Sequence, residues 1–195
     1  MTIATRKLTF EEYLTYDDGT DTPYELVNGD LIPMSLGTGH HGELLWALAS
    51  IFEQEIKQRD LPWVARPALI GVQSPRAGRW DTSRIPDVTL LSAQQWAEMK
   101  EREAVIRLSE APPILVVEVV SPSTKADDYG AKWSEYSVLN IPEYWILDPT
   151  DETVTVCRLE NGRYQDTLVR GDSLIVSPTF PELTLTANQV LNAGH

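Results

Sequence analysis

The chain has one cysteine, Cys157, in 195 residues, so no internal disulfide can staple it. Its setting, Thr-Val-Thr-Val-Cys-Arg-Leu, reads as a strand side chain rather than a nucleophile, and a reducing, cytoplasmic setting is expected. Long apolar runs are also missing. None approaches the roughly 20 residues of a membrane span, and the amino-terminal Met-Thr-Ile-Ala-Thr-Arg-Lys lacks the apolar stretch of a secretory signal. Neither membrane insertion nor export is expected. Positive charge is scarce: 16 Lys and Arg against 29 Asp and Glu leave a net charge of −13. A protein that neutralises phosphates usually carries a basic surface, so tight non-specific DNA binding is not expected. Internal repeats, low-complexity tracts and Gly/Ser linkers are absent as well, so residues 1–195 read as one domain.

What is present describes an ordinary globular chain, 42% hydrophobic and 23% charged, of a length that buries roughly 70% of its unfolded surface. Between Arg59 and Arg84, five arginines (Arg59, Arg66, Arg76, Arg79, Arg84) face only Asp60 and Asp81. This local excess permits a nucleic-acid contact, and equally an exposed loop with scattered charge.

Thr9-Phe10-Glu11-Glu12 is a capping-box pattern that starts a short helix. Asn28-Gly29, between Tyr24-Glu25-Leu26-Val27 and Asp30-Leu31-Ile32-Pro33-Met34, predicts a β-hairpin, because this pair most readily supplies two positive φ angles. Leu45, Leu48, Phe52 and Ile56 recur at helical spacing, predicting an amphipathic helix from about His41 to Lys57. Strands are predicted at Val64 to Val72, Ile85 to Leu91, Ile114 to Val120 and Glu143 to Leu147, with helices around Gln94 to Arg102 and Asp127 to Leu139. Two alternating stretches, Thr153 to Leu159 and Tyr164 to Arg170, add an antiparallel extension. The expected fold is α/β, a mixed central sheet flanked by helices.

Two acids interrupt apolar strands. Glu118 lies in Pro-Pro-Ile-Leu-Val-Val-Glu-Val-Val, a run that reads as a strand buried on both faces. An unpaired ionised group there costs several kcal/mol, so Glu118 must meet a metal, a cation such as arginine, or a set of donors. Asp87 lies in Ile85-Pro86-Asp87-Val88-Thr89-Leu90-Leu91; alone it could simply accept a backbone N–H. On adjacent strands the two carboxylates would converge, and oxygen ligands of this kind suit Mg²⁺ or Mn²⁺.

These segments, with Tyr-Glu-Leu-Val-Asn-Gly-Asp, Pro-Asp-Val, Val-Glu-Val-Val-Ser-Pro-Ser-Thr, Lys132 and Tyr136, and Glu-Tyr-Trp-Ile-Leu-Asp-Pro, resemble the Uma-two family of putative restriction endonucleases, within the PD-(D/E)XK nuclease superfamily. The resemblance runs from about Phe10 to Val190. It implies a restriction-endonuclease-like core, magnesium-dependent phosphodiesterase activity on DNA, and homodimers. Asp87 and Glu118 match the motif's two acids and would be the metal ligands. The motif's lysine should stand at 120, where this chain has Val120, on the same strand face as Glu118. Lys132, on the following helix, matches the position of a substitute, while Lys125 is a weaker candidate. Glu25 and His41 match positions that recur in family members and could complete the site.

Each candidate has a plainer reading. Lys132 could pair with Asp128 on an exposed face, although Tyr129, Lys132 and Tyr136 would share one helix face towards the acids. Glu25 could be a solvated strand residue, and His41 could cap its helix. Arg66, Arg76, Arg79 and Arg84 are the expected contacts to the DNA backbone. The Glu143, Tyr144, Trp145 and Asp148 segment reads as core or interface. The function expected is metal-dependent DNA hydrolysis. Its rivals are a degenerate nuclease-fold dimer serving as a binding or regulatory module, and a carboxylate-pair glycoside hydrolase, which the apolar strand setting of both acids disfavours.

Overall fold

Local signals at the amino end form the elements their chemistry favours. Thr9 accepts the Glu12 backbone N–H and Glu12 accepts that of Thr9, and this reciprocal cap opens α1 (Phe10–Leu14). Asn28 and Gly29 take φ of 52° and 86° and close the hairpin of β1 (Tyr24–Val27) and β2 (Asp30–Pro33). The next helix, α2 (Gly39–Gln58), is capped by Thr38, whose hydroxyl accepts the His41 N–H at 3.1 Å; His41 is therefore not the cap. The computed structural model describes residues 6–20, 22–34 and 36–193. Residues 1–5, on which the reading of the amino terminus partly rests, lie outside the described residues.

The stretch expected to be one strand from Val64 to Val72 is two, β3 (Trp63–Pro67) and β4 (Gly71–Arg76), in different sheets. The run breaks at Ala68, which takes φ of 41° and donates its N–H to the Asp87 carbonyl at 2.9 Å. The arginine-bearing segment is no loop: β4 and β5 (Arg79–Arg84) form a hairpin that turns on Ala77 and Gly78, both with positive φ. An alanine in the left-handed region is a weak turn signal in sequence.

The chain continues through β6 (Val88–Ser92), α3 (Ala93–Glu98), β7 (Val105–Ile106) and β8 (Leu115–Val119). A helix over residues 125–138 follows, a π-helical turn at Asp127–Lys132 running into α4 (Trp133–Val138). The remaining elements are β9 (Glu143–Asp148), β10 (Thr153–Glu160), β11 (Arg163–Arg170) and α5 (Ala187–Leu191). One sheet has the order β11-β10-β9-β8-β6-β3 and the other β2-β1-β5-β4-β7. Both are mixed, since β8 with β9 and β4 with β7 are parallel pairs. Parallel neighbours need a crossover, and between β8 and β9 that crossover is the 125–138 helix.

Side-chain alternation then builds two layers on the six-stranded sheet. Val117, Val119, Trp145 and Leu147 meet Leu44, Leu48 and Phe52 of α2 on one face. Val116, Val120, Tyr144 and Ile146 meet Tyr136 and Ile141 on the other, together with Val72 from the second sheet. Each fully buried aliphatic side chain contributes about 1.5–3 kcal/mol. Glu118 belongs by register to this second face, which the crossover helix covers.

Candidate active site

Asp87 stands just before β6 and Glu118 inside β8. The two strands are antiparallel neighbours with Val88 opposite Val117, so the acids sit side by side where β6 begins. The Val119 N–H donates to Asp87 Oδ2 at 2.6 Å, and His41 Nε2 lies 3.2 Å from Asp87 Oδ1. The backbone contact expected of an isolated strand-edge aspartate is thus made by one oxygen, and the histidine takes the other. The bond to Asp87 raises the His41 pKa against the opposing effect of burial.

Glu118 is 3% exposed. Its Oε1 accepts from the Tyr136 hydroxyl at 2.6 Å, and its Oε2 lies 2.8 Å from Lys132 Nζ. Lys132 is buried too and reaches Asp128 Oδ1 at 2.9 Å. Burial pushes Glu118 up to about 8; the Lys132 ammonium opposes this, while Asp87, Asp128 and Glu25 add to it. Burial also works against the charge on Lys132, but the carboxylates of Glu118 and Asp128 outweigh it and hold the amine protonated. Burial raises Asp128 in the same way, with Lys132 opposing. Two carboxylates, Glu118 and Asp128, thus share one ammonium, with the Asp87–His41 pair, the more exposed members, towards solvent.

The helix delivers Lys132 by an irregular turn. The sequence placed Tyr129, Lys132 and Tyr136 on one face; in the structure Asp128, Lys132 and Tyr136 share the buried face and Tyr129 is 38% exposed. The π-helical turn at Asp127–Lys132 widens the helix there and shifts the face by one residue. Tyr144 steadies the turn, its hydroxyl donating to the Asp128 carbonyl at 3.0 Å. The Asp128–Lys132 pair exists as sequence allows, but it is interior rather than solvated.

A second buried ion network lies behind this cluster. Arg84, 1% exposed, donates Nε to Glu135 Oε2 at 2.9 Å and Nη2 to Oε1 at 3.2 Å, and its Nη1 reaches Glu25 at 3.1 Å. Arg76 adds a 3.0 Å contact to Glu135. Glu25 is therefore an interior partner of Arg84 and of the Ile85 N–H, not a solvated strand residue. Arg84 is enclosed, so its guanidinium does not stand at the surface where the expected DNA-backbone contact would be made. Arg66 pairs with Glu53 and lies over the Trp96 ring, and Arg79 pairs with Asp81. Both are partly exposed.

The structure brings Asp87, Glu118, Lys132 and His41 together and links Glu25 to them through Arg84 and the helix. It adds Asp128 and Glu135, which sequence reasoning did not select, and it bonds Glu118 to Tyr136, which the sequence placed on the face towards the acids. The signal in the sequence for Asp128 is the Asp128/Lys132/Tyr136 spacing of four, which puts all three on one helix face. Val120, at the position of the motif's lysine, is packed among apolar side chains. Lys125 pairs with Asp148 and Asp151 instead of approaching Glu118. Glu143 is core, accepting from Trp145 Nε1 at 2.6 Å and from Ser177 and Thr179. Among the described residues, no group of three or more His, Cys, Asp or Glu side chains is arranged to hold a metal ion. Among the same residues, no helix is long and apolar enough to cross a membrane.

Strand order, the β8-helix-β9 crossover and paired strand acids define a nuclease-type α/β fold. A solved structure titled as a putative nuclease belonging to DUF820 from Anabaena variabilis superposes with a TM-score of 0.74 at 19% identity, covering 94% of this chain and 97% of that one. The family model described as "Uma2: Putative restriction endonuclease" matches residues 10–188, and the chain belongs to this family. No curated protein matches it.

Proposed function

We propose that this protein hydrolyses phosphodiester bonds in DNA, as a homodimer, with Mg²⁺ or Mn²⁺ held by Asp87 and Glu118. The donor set fits such an ion: every acid in the cluster offers oxygen, carboxylates exceed the single ammonium, and a hard divalent cation takes one or two protein carboxylates while keeping its waters. When bound, the ion supplies Lewis acidity and a more acidic water. The observation that carries the reading is Lys132 Nζ at 2.8 Å from Glu118 Oε2. This amine comes from the crossover helix and stands beside the second acid although Val120 occupies the usual lysine position.

Lys132, protonated, cannot accept a proton from water. It would offset the negative charge that grows on the phosphoryl oxygens as the water oxygen bonds to phosphorus and the leaving oxygen departs, while the proton lost by that water passes to bulk solvent at the open side of the site. Tyr136 fixes Glu118, and Asp128 fixes Lys132. His41, at the open side on Asp87, has its protonated form favoured by that carboxylate and in that form would give a proton to the leaving oxygen.

The rival, a nuclease fold without catalysis, is favoured by one observation: both Glu118 oxygens are already engaged, by Lys132 and Tyr136. The test is cleavage of duplex, single-stranded and branched DNA with Mg²⁺ or Mn²⁺ by wild type, Glu118→Ala and Lys132→Ala. Metal-dependent cleavage lost in both variants supports the reading. No cleavage by wild type together with no Mn²⁺ binding rejects it in favour of the rival. Sedimentation of the wild type tests the dimer separately.

A further inference from the structure

Among the described residues the two sheets have four outer strands, and three of them are protected against further pairing. β7 has two residues, β2 has four and ends in Pro33, and β3 ends in Pro67 with its Ala65 N–H already donated to Glu53 Oε1 at 2.8 Å. Short edges, prolines and covered N–H groups keep an edge from recruiting another strand. The fourth, β11, has none of these: it runs for eight residues without proline, in unbroken register with β10.

The free side of β11 follows from its hairpin. The Asn161–Gly162 turn, with φ of 51° and 78°, makes Glu160 and Arg163 a hydrogen-bonded pair. Alternation then directs the N–H and C=O of Gln165, Thr167 and Val169 to β10 and those of Asp166, Leu168 and Arg170 outward. Among the described residues, the one backbone bond from outside the ladder to these three runs from the Ser173 N–H to the Arg170 carbonyl at 3.2 Å. That oxygen keeps a second lone pair.

The outward residues carry a self-complementary pattern. Asp166 and Arg170 stand symmetrically about Leu168, which is 56% exposed. Trp133 Nε1 holds the Asp166 carboxylate at 2.9 Å, but among the described residues no cation pairs with Asp166 and no acid with Arg170. Four residues apart, the two charges are about 13 Å from each other along the strand, too far to meet within one chain. Across an antiparallel pair centred on Leu168 each falls opposite the other, the favourable arrangement. Centring on Asp166 or Arg170 would oppose like charges, and centring on Thr167 or Val169 would set Leu168 against a charge.

We infer that the outer edge of β11 pairs antiparallel with the same edge of a second copy, Leu168 facing Leu168 and Asp166 facing Arg170, so that the two six-stranded sheets become continuous. Such pairing preserves the faces of the sheet, so both crossover helices and both charged clusters come to one side. The inference supplies the surface for the homodimer proposed above and rests on that reading only for the existence of a dimer; it needs no catalysis.

The test is sedimentation equilibrium of wild type, Asp166→Arg, Arg170→Asp and the double variant. Each single variant opposes like charges at two places and should weaken the dimer about tenfold or more. The double variant should restore it, which only a contact between copies can do. Leu168→Cys gives a second readout. Opposed Cα atoms of a hydrogen-bonded pair lie about 5.5 Å apart, within disulfide range, so diamide should cross-link this variant. Thr167→Cys, on the other face, should stay uncrosslinked, and Cys157 is buried. A dimer that the single variants leave intact, or that the double variant fails to restore, overturns this interface and leaves dimerisation to another surface. Cross-linking of Thr167→Cys in place of Leu168→Cys overturns it as well. A monomeric wild type overturns the interface and the homodimer together, without bearing on cleavage.

Discussion

Replacing Arg84 with methionine should be among the most damaging single changes outside the apolar core. The methionine preserves much of the side chain's bulk, so the perturbation is chiefly electrostatic. It removes the two bonds to Glu135, at 2.9 and 3.2 Å, and the 3.1 Å bond to Glu25. Breaking a buried pair by deleting one partner costs about 3–5 kcal/mol, because the remaining charge is left without compensation. Here Arg76 stays on Glu135 at 3.0 Å, so about 3 kcal/mol is expected. For a chain of this length that lowers Tm by roughly 6–12 °C. The assay is urea unfolding followed by tryptophan fluorescence and far-UV circular dichroism together. A double-mutant cycle with Glu135→Leu should recover part of the loss, since the pair is then removed as a unit. A loss below about 1 kcal/mol in Arg84→Met, or strict additivity with Glu135→Leu, would refute the claim that this network ties the crossover helix to the second sheet. The same variant should weaken any activity that depends on Lys132, because Glu135 and Lys132 ride on one helix.

Tyr136→Phe removes the 2.6 Å bond to Glu118 and leaves the ring in place; about 1–3 kcal/mol of stability should be lost, measured by urea unfolding. Mn²⁺ affinity should rise with pH up to about 8 and then level off, by at most about tenfold per unit. Binding at Glu118 must displace the proton that its raised pKa retains, and calorimetry in buffers of different ionisation enthalpy would detect the release. A pH-independent affinity would argue against Glu118 as a ligand. Glu118 also makes the folded state bind more protons than the unfolded chain between about pH 4.5 and 8. Stability should therefore fall as pH rises through that window, and Glu118→Gln should flatten the fall. His41 has the same sign, because its folded pKa also lies above its ordinary value of 6.5. The stability it contributes through Asp87 is complete below 6.5 and is lost as pH rises through the raised value. The stability difference between wild type and His41→Gln should shrink accordingly from pH 5.5 to pH 9.

Much of the framework was legible because its causes are local. A capping box at Thr9 and Glu12, a left-handed pair at Asn28 and Gly29, and a helical stripe from Leu45 to Ile56 each act within a few residues, and each formed. Acids set in apolar strands identified Asp87 and Glu118 for a similar reason: strand alternation and burial can be read along one segment. The second sheet was not foreseen, because nothing local says that Val64–Val72 should break at Ala68 and send its halves to different partners. That break is stabilised by the contact to Asp87, which is distant in sequence.

The sequence by itself determined the elements with local causes, such as α1, the β1–β2 hairpin and α2, and which strands carry buried acids, since backbone geometry and side-chain periodicity set those locally. Only the tertiary structure decided what the charges do. Arg84 in sequence is one of several arginines in a locally basic segment, but the fold encloses it against Glu135 and Glu25. Asp128 replaces Tyr129 at the site because a π-helical turn, held by packing and by Tyr144, shifts the face of the helix. Whether a charge is buried, and with which partner, depends on atoms that meet only when distant strands pair and the crossover helix closes over them, and the free energy of a buried charge is set by those partners.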